Sequence, residues 1–272
     1  MAQRHQALKR YVVCLLVLID LFSVSSLSLA APDKIRQEIQ QIAVELQQSH
    51  GLNLVWENID RIKVKGLEFE GVSSRDLPRF LAFLLIFREE ISKYPSDFFK
   101  PSGLSKVIFV KKLFIESIPA HGIYSLTRGY MFFDIYRDYS NQLIERHGIH
   151  HEIYHMIATS IWIDPQILPQ GWEGLNGPDF KYEKEGRWHD DQNKVNFFAP
   201  PQLGFATDYA MSSAEEDQAE IFACLMVKSQ RRLIEEWGEK DPILSRKIAA
   251  MKKILQVYSP SMDASFWGAP KE

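Results

Sequence analysis

Two histidines four positions apart, with a glutamate beside the first, constrain this 272-residue chain more than any other feature. They lie in His151-Glu152-Ile153-Tyr154-His155, which fits the pattern H-E-x-x-H. Residues four apart on an α-helix lie one turn apart and about 40° around the axis, so both imidazoles can converge on one metal ion from one face. The glutamate then lies near the ion's open position, where it can take a proton from water. Ile149, Ile153, Met156 and Ile157 form an apolar flank that would bury such a helix. The spacing therefore predicts a helix here that carries His151 and His155 as zinc ligands and Glu152 as general base. Four of the eight histidines lie between 147 and 155, so a nonspecific metal-binding tract is the competing reading. His150 points about 100° away from His151 and reads as a packing or supporting residue. Gly148 reads as the helix start, which leaves His147 on the approach, and His189 reads as a solvated loop residue.

A third ligand separates these readings. A histidine six residues after the second would define one subclass, but position 161 is Ile161. The segment "EEDQAE" offers the alternative, since Glu216 and Glu220 are four apart on one predicted helix face. Glu216 can bind the metal, while Glu220, one turn on, can accept a hydrogen bond from a ligand histidine and fix its tautomer. Acid-rich first turns are ordinary at solvated helix starts. Here Ile221 and Phe222 follow Glu220 directly, which places that acid half in the interior, where it needs a partner.

Composition excludes some classes. With 25% charged and 46% hydrophobic residues the chain reads as globular, and a net charge of −3 leaves no basic excess for nucleic acid. The first thirty residues differ. Arg4, Lys9 and Arg10 precede the apolar run "YVVCLLVLI", and Ser28 and Ala30 supply a small-x-small site. That layout predicts a signal peptide over 1–30, cleaved after Ala30. An uncleaved anchor is the alternative, which Asp20 and four serines disfavour; the membrane would be touched only through that segment. Cys14 lacks a lipobox. Cleavage leaves Cys224 alone, so no intramolecular disulfide can form, which fits an exported bacterial protein in the periplasm or medium.

The remainder, 31–272, reads as one α+β domain. Helices are predicted near 32–51, over 73–94, around the histidines, over 212–237 from a Ser212 or Ser213 cap, and over 241–258. "LNLVWENI", "RIKVKGLEFEGV", "SKVIFVKKLFI" and "RGYMFFDIY" read as strands, with the "RGYMFF" strand as the sheet edge beside a cleft. Residues 164–207 lack periodicity, and long segments of that kind are often functional.

Two blocks, "HHEIYHMI" and "TDYAMSSAEEDQAEIFACLM", resemble the gluzincin metallopeptidases related to the catalytic domain of anthrax lethal factor. The similarity is closest to a bacterial family of zinc-binding metallopeptidases. It spans roughly 105–230, and "GWEGLNGPDFKYE" resembles that family's linking segment. The resemblance implies a zincin-like domain, a mixed sheet packed on the HExxH helix with a helical C-terminal part and a metal core near 105–235. It implies one zinc per chain held by His151, His155 and Glu216, with Glu152 as base and Glu220 supporting. It also implies that Tyr209, seven residues before Glu216, faces the metal and stabilises the reacting oxyanion. Gln218 departs from the family, where an aromatic is usual. The implied activity is peptide-bond hydrolysis on a peptide or protein substrate. The alternatives are an exported zinc amidase acting on cell-wall material and a non-catalytic zinc protein.

Overall fold

The computed structural model describes residues 32–137, 141–161, 171–182 and 203–268. The predicted signal peptide, His189 and most of the irregular 164–207 stretch lie outside these residues. Described elements run α1 (Pro32–His50), β1 (Leu54–Val55), β2 (Leu67–Glu70), α2 (Leu77–Ile91), β3 (Lys106–Ile115), β4 (Ile118–Pro119), β5 (Gly122–Ser125) and β6 (Tyr130–Asp134). Then come α3 (Gln142–Ile161), α4 (Ala214–Met226), α5 (Lys228–Gly238), α6 (Pro242–Tyr258) and the short α7 (Ala264–Gly268). The architecture is α+β with a mixed sheet, as the sequence predicts.

The first half of β3 lies between β1 and β6, parallel to both, and β5 runs antiparallel along the far side of β6. The second half of β3 pairs instead with β2 and β4, and the strand changes partners at Lys112, whose φ of 53° lies in the left-handed region. Alternation then divides the side chains between two cores. Val107, Phe109, Met131 and Phe133 face the helical layer with Phe80, Phe87, Ile153 and Phe222. Ile108, Val110 and Phe132 face a smaller core with Ile59 and Leu113.

Three sequence readings need correction. The "RGYMFF" strand, β6, is interior; among the described residues the edge is β5, which the sequence reading missed, and it packs on α3. α3 does not begin at Gly148 but a turn and a half earlier, where Asn141 Oδ1 accepts from the N–H groups of Leu143 (3.0 Å) and Ile144 (3.4 Å). The helix predicted over 212–237 is two helices, broken at Val227, whose φ of −89° and ψ of 113° are extended. Among the described residues no helix is long and apolar enough to cross a membrane.

Candidate metal centre

α3 and α4 pack against each other. On α3, Ile149, Ile153, Met156 and Ile157 are buried as the apolar flank, which turns His151 and His155 toward α4. On α4, Ser213 caps the N-terminus by accepting from Glu216 N–H at 3.2 Å. That first turn aims Glu216 at the two imidazoles.

Three atoms meet there. His151 Nε2 and His155 Nε2 are 3.1 Å apart, and Glu216 Oε2 lies 3.0 Å from the first and 3.5 Å from the second. Ligands at about 2.0–2.1 Å from a tetrahedral zinc ion are separated by roughly 3.4 Å, so this triangle has the size a zinc site requires. Glu216 Oε2 is buried and accepts no hydrogen bond. A buried carboxylate oxygen without a donor is costly, and two imidazole nitrogens lie beside it. A cation among the three atoms would satisfy that oxygen, so the residues fit a zinc ion.

Glu220 contacts His151. Its Oε1 accepts from His151 Nδ1 at 2.8 Å, which fixes the tautomer that leaves Nε2 free to ligate. The same oxygen lies 3.0 Å from His147 Nε2, and Oε2 accepts from Thr207 Oγ1 at 2.7 Å. Burial opposes ionisation of Glu220, yet His147 and His151 hold its pKa below the ordinary range. His147, His151 and Glu220 could in principle form a second metal trio. All three are buried, and their contacts are those of a carboxylate accepting two imidazole N–H groups, so we assign them as the support of the first site. His147 is thus not on the approach but inside, with Nδ1 2.9 Å from Gln230 Oε1.

Replacing Glu220 with Gln should weaken zinc binding about 10–100-fold, since the isosteric amide loses the charge that orients His151. Competition with a chelator measures this; unchanged affinity would show that Glu220 serves packing alone.

Glu152 points elsewhere, toward the sheet edge. A methyl group on Gly122 would stand 2.8 Å from Glu152 Cγ and 2.7 Å from Phe132 O. Glycine at 122 therefore lets the base lie against β5. Tyr209 sits in a single 3₁₀ turn, Tyr209–Met211, with its ring 5.8 Å from that of His151. Burial, then the charges of Glu216 and Glu152, push its phenol above the ordinary range, so it stays protonated and can donate. Gln218, where the resemblance calls for an aromatic, accepts from Tyr154 Oη at 2.6 Å and joins the two helices.

His150 is a packing residue, as its angle predicts. It is fully buried, with Nε2 2.6 Å from Glu90 Oε2 and Nδ1 2.5 Å from Tyr94 Oη. Burial lowers its pKa to about 4, which keeps it neutral. The sequence reading missed Thr207, Gly122 and the inward role of His147. Only the last had a signal: His147, His151 and His155 recur every four residues on one helix face.

Residues 130–258 match the model of a family described as "Putative zinc-binding metallo-peptidase". The match runs from the start of β6 to the end of α6 and contains the three candidate ligands, Glu152, Tyr209 and Glu220. It supports a peptidase-type, zinc-binding function for this part of the chain. No curated protein and no solved structure matches.

Proposed function

We propose that the protein is a zinc-dependent peptidase of the gluzincin type with a zincin-like fold. The observation that carries this reading is the convergence of His151 Nε2, His155 Nε2 and the orphaned Glu216 Oε2 within 3.5 Å. A zinc ion held by these three atoms would polarise a peptide carbonyl and make water more acidic. Glu152 takes a proton from the attacking water and delivers it to the leaving amine. The Tyr209 phenol donates to the oxyanion as it forms, a preorganised donor in a half-buried position.

β5 supports an extended substrate. His121 O accepts from Asp134 N–H at 2.8 Å, so the antiparallel alternation turns the N–H and C=O of Gly122 and Tyr124 away from β6. A peptide that adds to this edge passes beside Glu152 with its backbone in register. The N-terminal segment supports export to the periplasm or medium.

Incubation of the zinc-loaded protein with an unfolded protein and with peptidoglycan fragments tests the reading. Peptide products from the protein, abolished by chelation and restored by zinc, are expected. Turnover of peptidoglycan alone would make it a cell-wall amidase. Tight zinc without turnover of either would make it a binding protein.

A further inference from the structure

Lys247 and Asp217 are both fully buried, and the proposed chemistry uses neither. Asp217 directly follows the ligand Glu216. Its Oδ2 accepts from Lys247 Nζ at 2.6 Å, Trp172 Nε1 at 2.7 Å and Tyr182 Oη at 2.5 Å. Lys247 Nζ also donates to Gly204 O at 2.8 Å and lies 3.8 Å from the centroid of the Phe205 ring. Gly204 is held from its other side as well, with its N–H donating to Asp241 Oδ2, at the cap of α6, at 2.5 Å. Its φ is +92°, and a Cβ there would stand 2.5 Å from Ile243 Cγ2, so residues 204–205 lie tightly on the start of α6. Three and five residues after Gly204 the same stretch supplies Thr207 to Glu220 and Tyr209 to the site.

One buried ammonium group therefore joins two parts of the centre. On one side it holds α4 one residue after the third ligand. On the other it holds the arm that carries Tyr209. Trp172 and Tyr182 add the 171–182 segment to the same carboxylate oxygen. A buried ion pair is a poor device for stability, because its desolvation offsets most of its attraction and apolar residues of similar size often do as well. Its value lies in geometry. Three donors on one oxygen and a carbonyl on the same ammonium admit one arrangement of four chain segments.

We infer that Lys247 and Asp217 are positioning residues that fix the Tyr209 arm relative to Glu216. Neither touches substrate or metal. The geometric part stands on the contacts above; the catalytic part rests on the peptidase reading.

The test uses the full chain loaded with zinc, as Lys247→Met and as the neutral pair Asp217→Asn/Lys247→Met. Each is made with and without Tyr209→Phe. The double variant removes both charges of the pair, leaving Asp241 its backbone donors at the α6 cap, and is read in place of the single one if Lys247→Met does not fold. Amide hydrogen exchange should rise about tenfold or more over 204–211 and stay unchanged over 149–158, as local opening of an unpinned arm requires. Zinc content should be retained. On an unfolded protein substrate kcat should fall roughly tenfold or more with little change in KM, as a misplaced group predicts. In the Tyr209→Phe background Lys247→Met should cost no more than the part that reaches His151 through Thr207 and Glu220, because the arm it positions no longer carries the donor. Unchanged exchange over 204–211 would overturn the inference, and so would a Lys247→Met loss that multiplies that of Tyr209→Phe. If the wild-type chain cleaves no peptide, the peptidase reading fails while the exchange result still decides whether the pair pins the arm.

Discussion

Glu152→Gln should lose about 10³–10⁴ of kcat while keeping its zinc, since positioned acid–base catalysis contributes on the order of 10²–10⁴ and the proposed mechanism gives this residue both proton transfers. The substitution preserves shape, and Gly122 leaves the same room against β5 for an amide as for a carboxylate. Glu152 is not one of the three atoms that define the metal triangle, so metal content should not follow activity. The measurement is kcat beside zinc stoichiometry on one preparation. A variant that cleaves at the wild-type rate would remove Glu152 from the mechanism. Loss of zinc together with activity would instead move Glu152 into the ligand set.

Tyr209→Phe should lower kcat about 10²–10³-fold with zinc retained and KM nearly unchanged, the pattern of a donor that matters only in the transition state. The phenol is available for this because burial and the neighbouring carboxylates keep it protonated. It lies beside His151 and not in the ligand triangle. A loss of less than about threefold would make Tyr209 a packing residue of the loop.

The part of the site carried by helical spacing was legible in the sequence. His151 and His155, four apart, and Glu216 and Glu220, four apart, need only the α-helical period to fall on common faces, and each does. Glu216 lies nearer the surface and Glu220, one turn on, is buried, so the structure places the two carboxylates at different depths of the site. The existence of α1, α2 and α6 was legible for the same reason.

What was not legible depends on contacts between distant segments. β5 is four residues long, and its pairing with β6 decides which strand is the edge; nothing local in "GIYS" announces that. Gly148 reads as a helix start, which puts His147 outside. The helix nevertheless runs through the glycine. Its cost of about 1 kcal/mol relative to Ala is outweighed by packing on both sides, and Asn141 was the true cap. The break at Val227 interrupts a continuous helical pattern that the sequence alone would extend. Thr207 and Lys247 enter the site's support only because α4, α6 and the 203–211 stretch meet in space.

The measurement that tests the account most directly is zinc per chain, by elemental analysis, for the purified protein and for Glu216→Ala. The account predicts about one zinc in the first, and loss or marked weakening in the second, because three protein ligands define the site. Zinc held by Glu216→Ala at full affinity would contradict it and place the third ligand elsewhere. Absence of zinc from the wild-type protein after reconstitution would remove the metal centre, and with it the proposed peptidase.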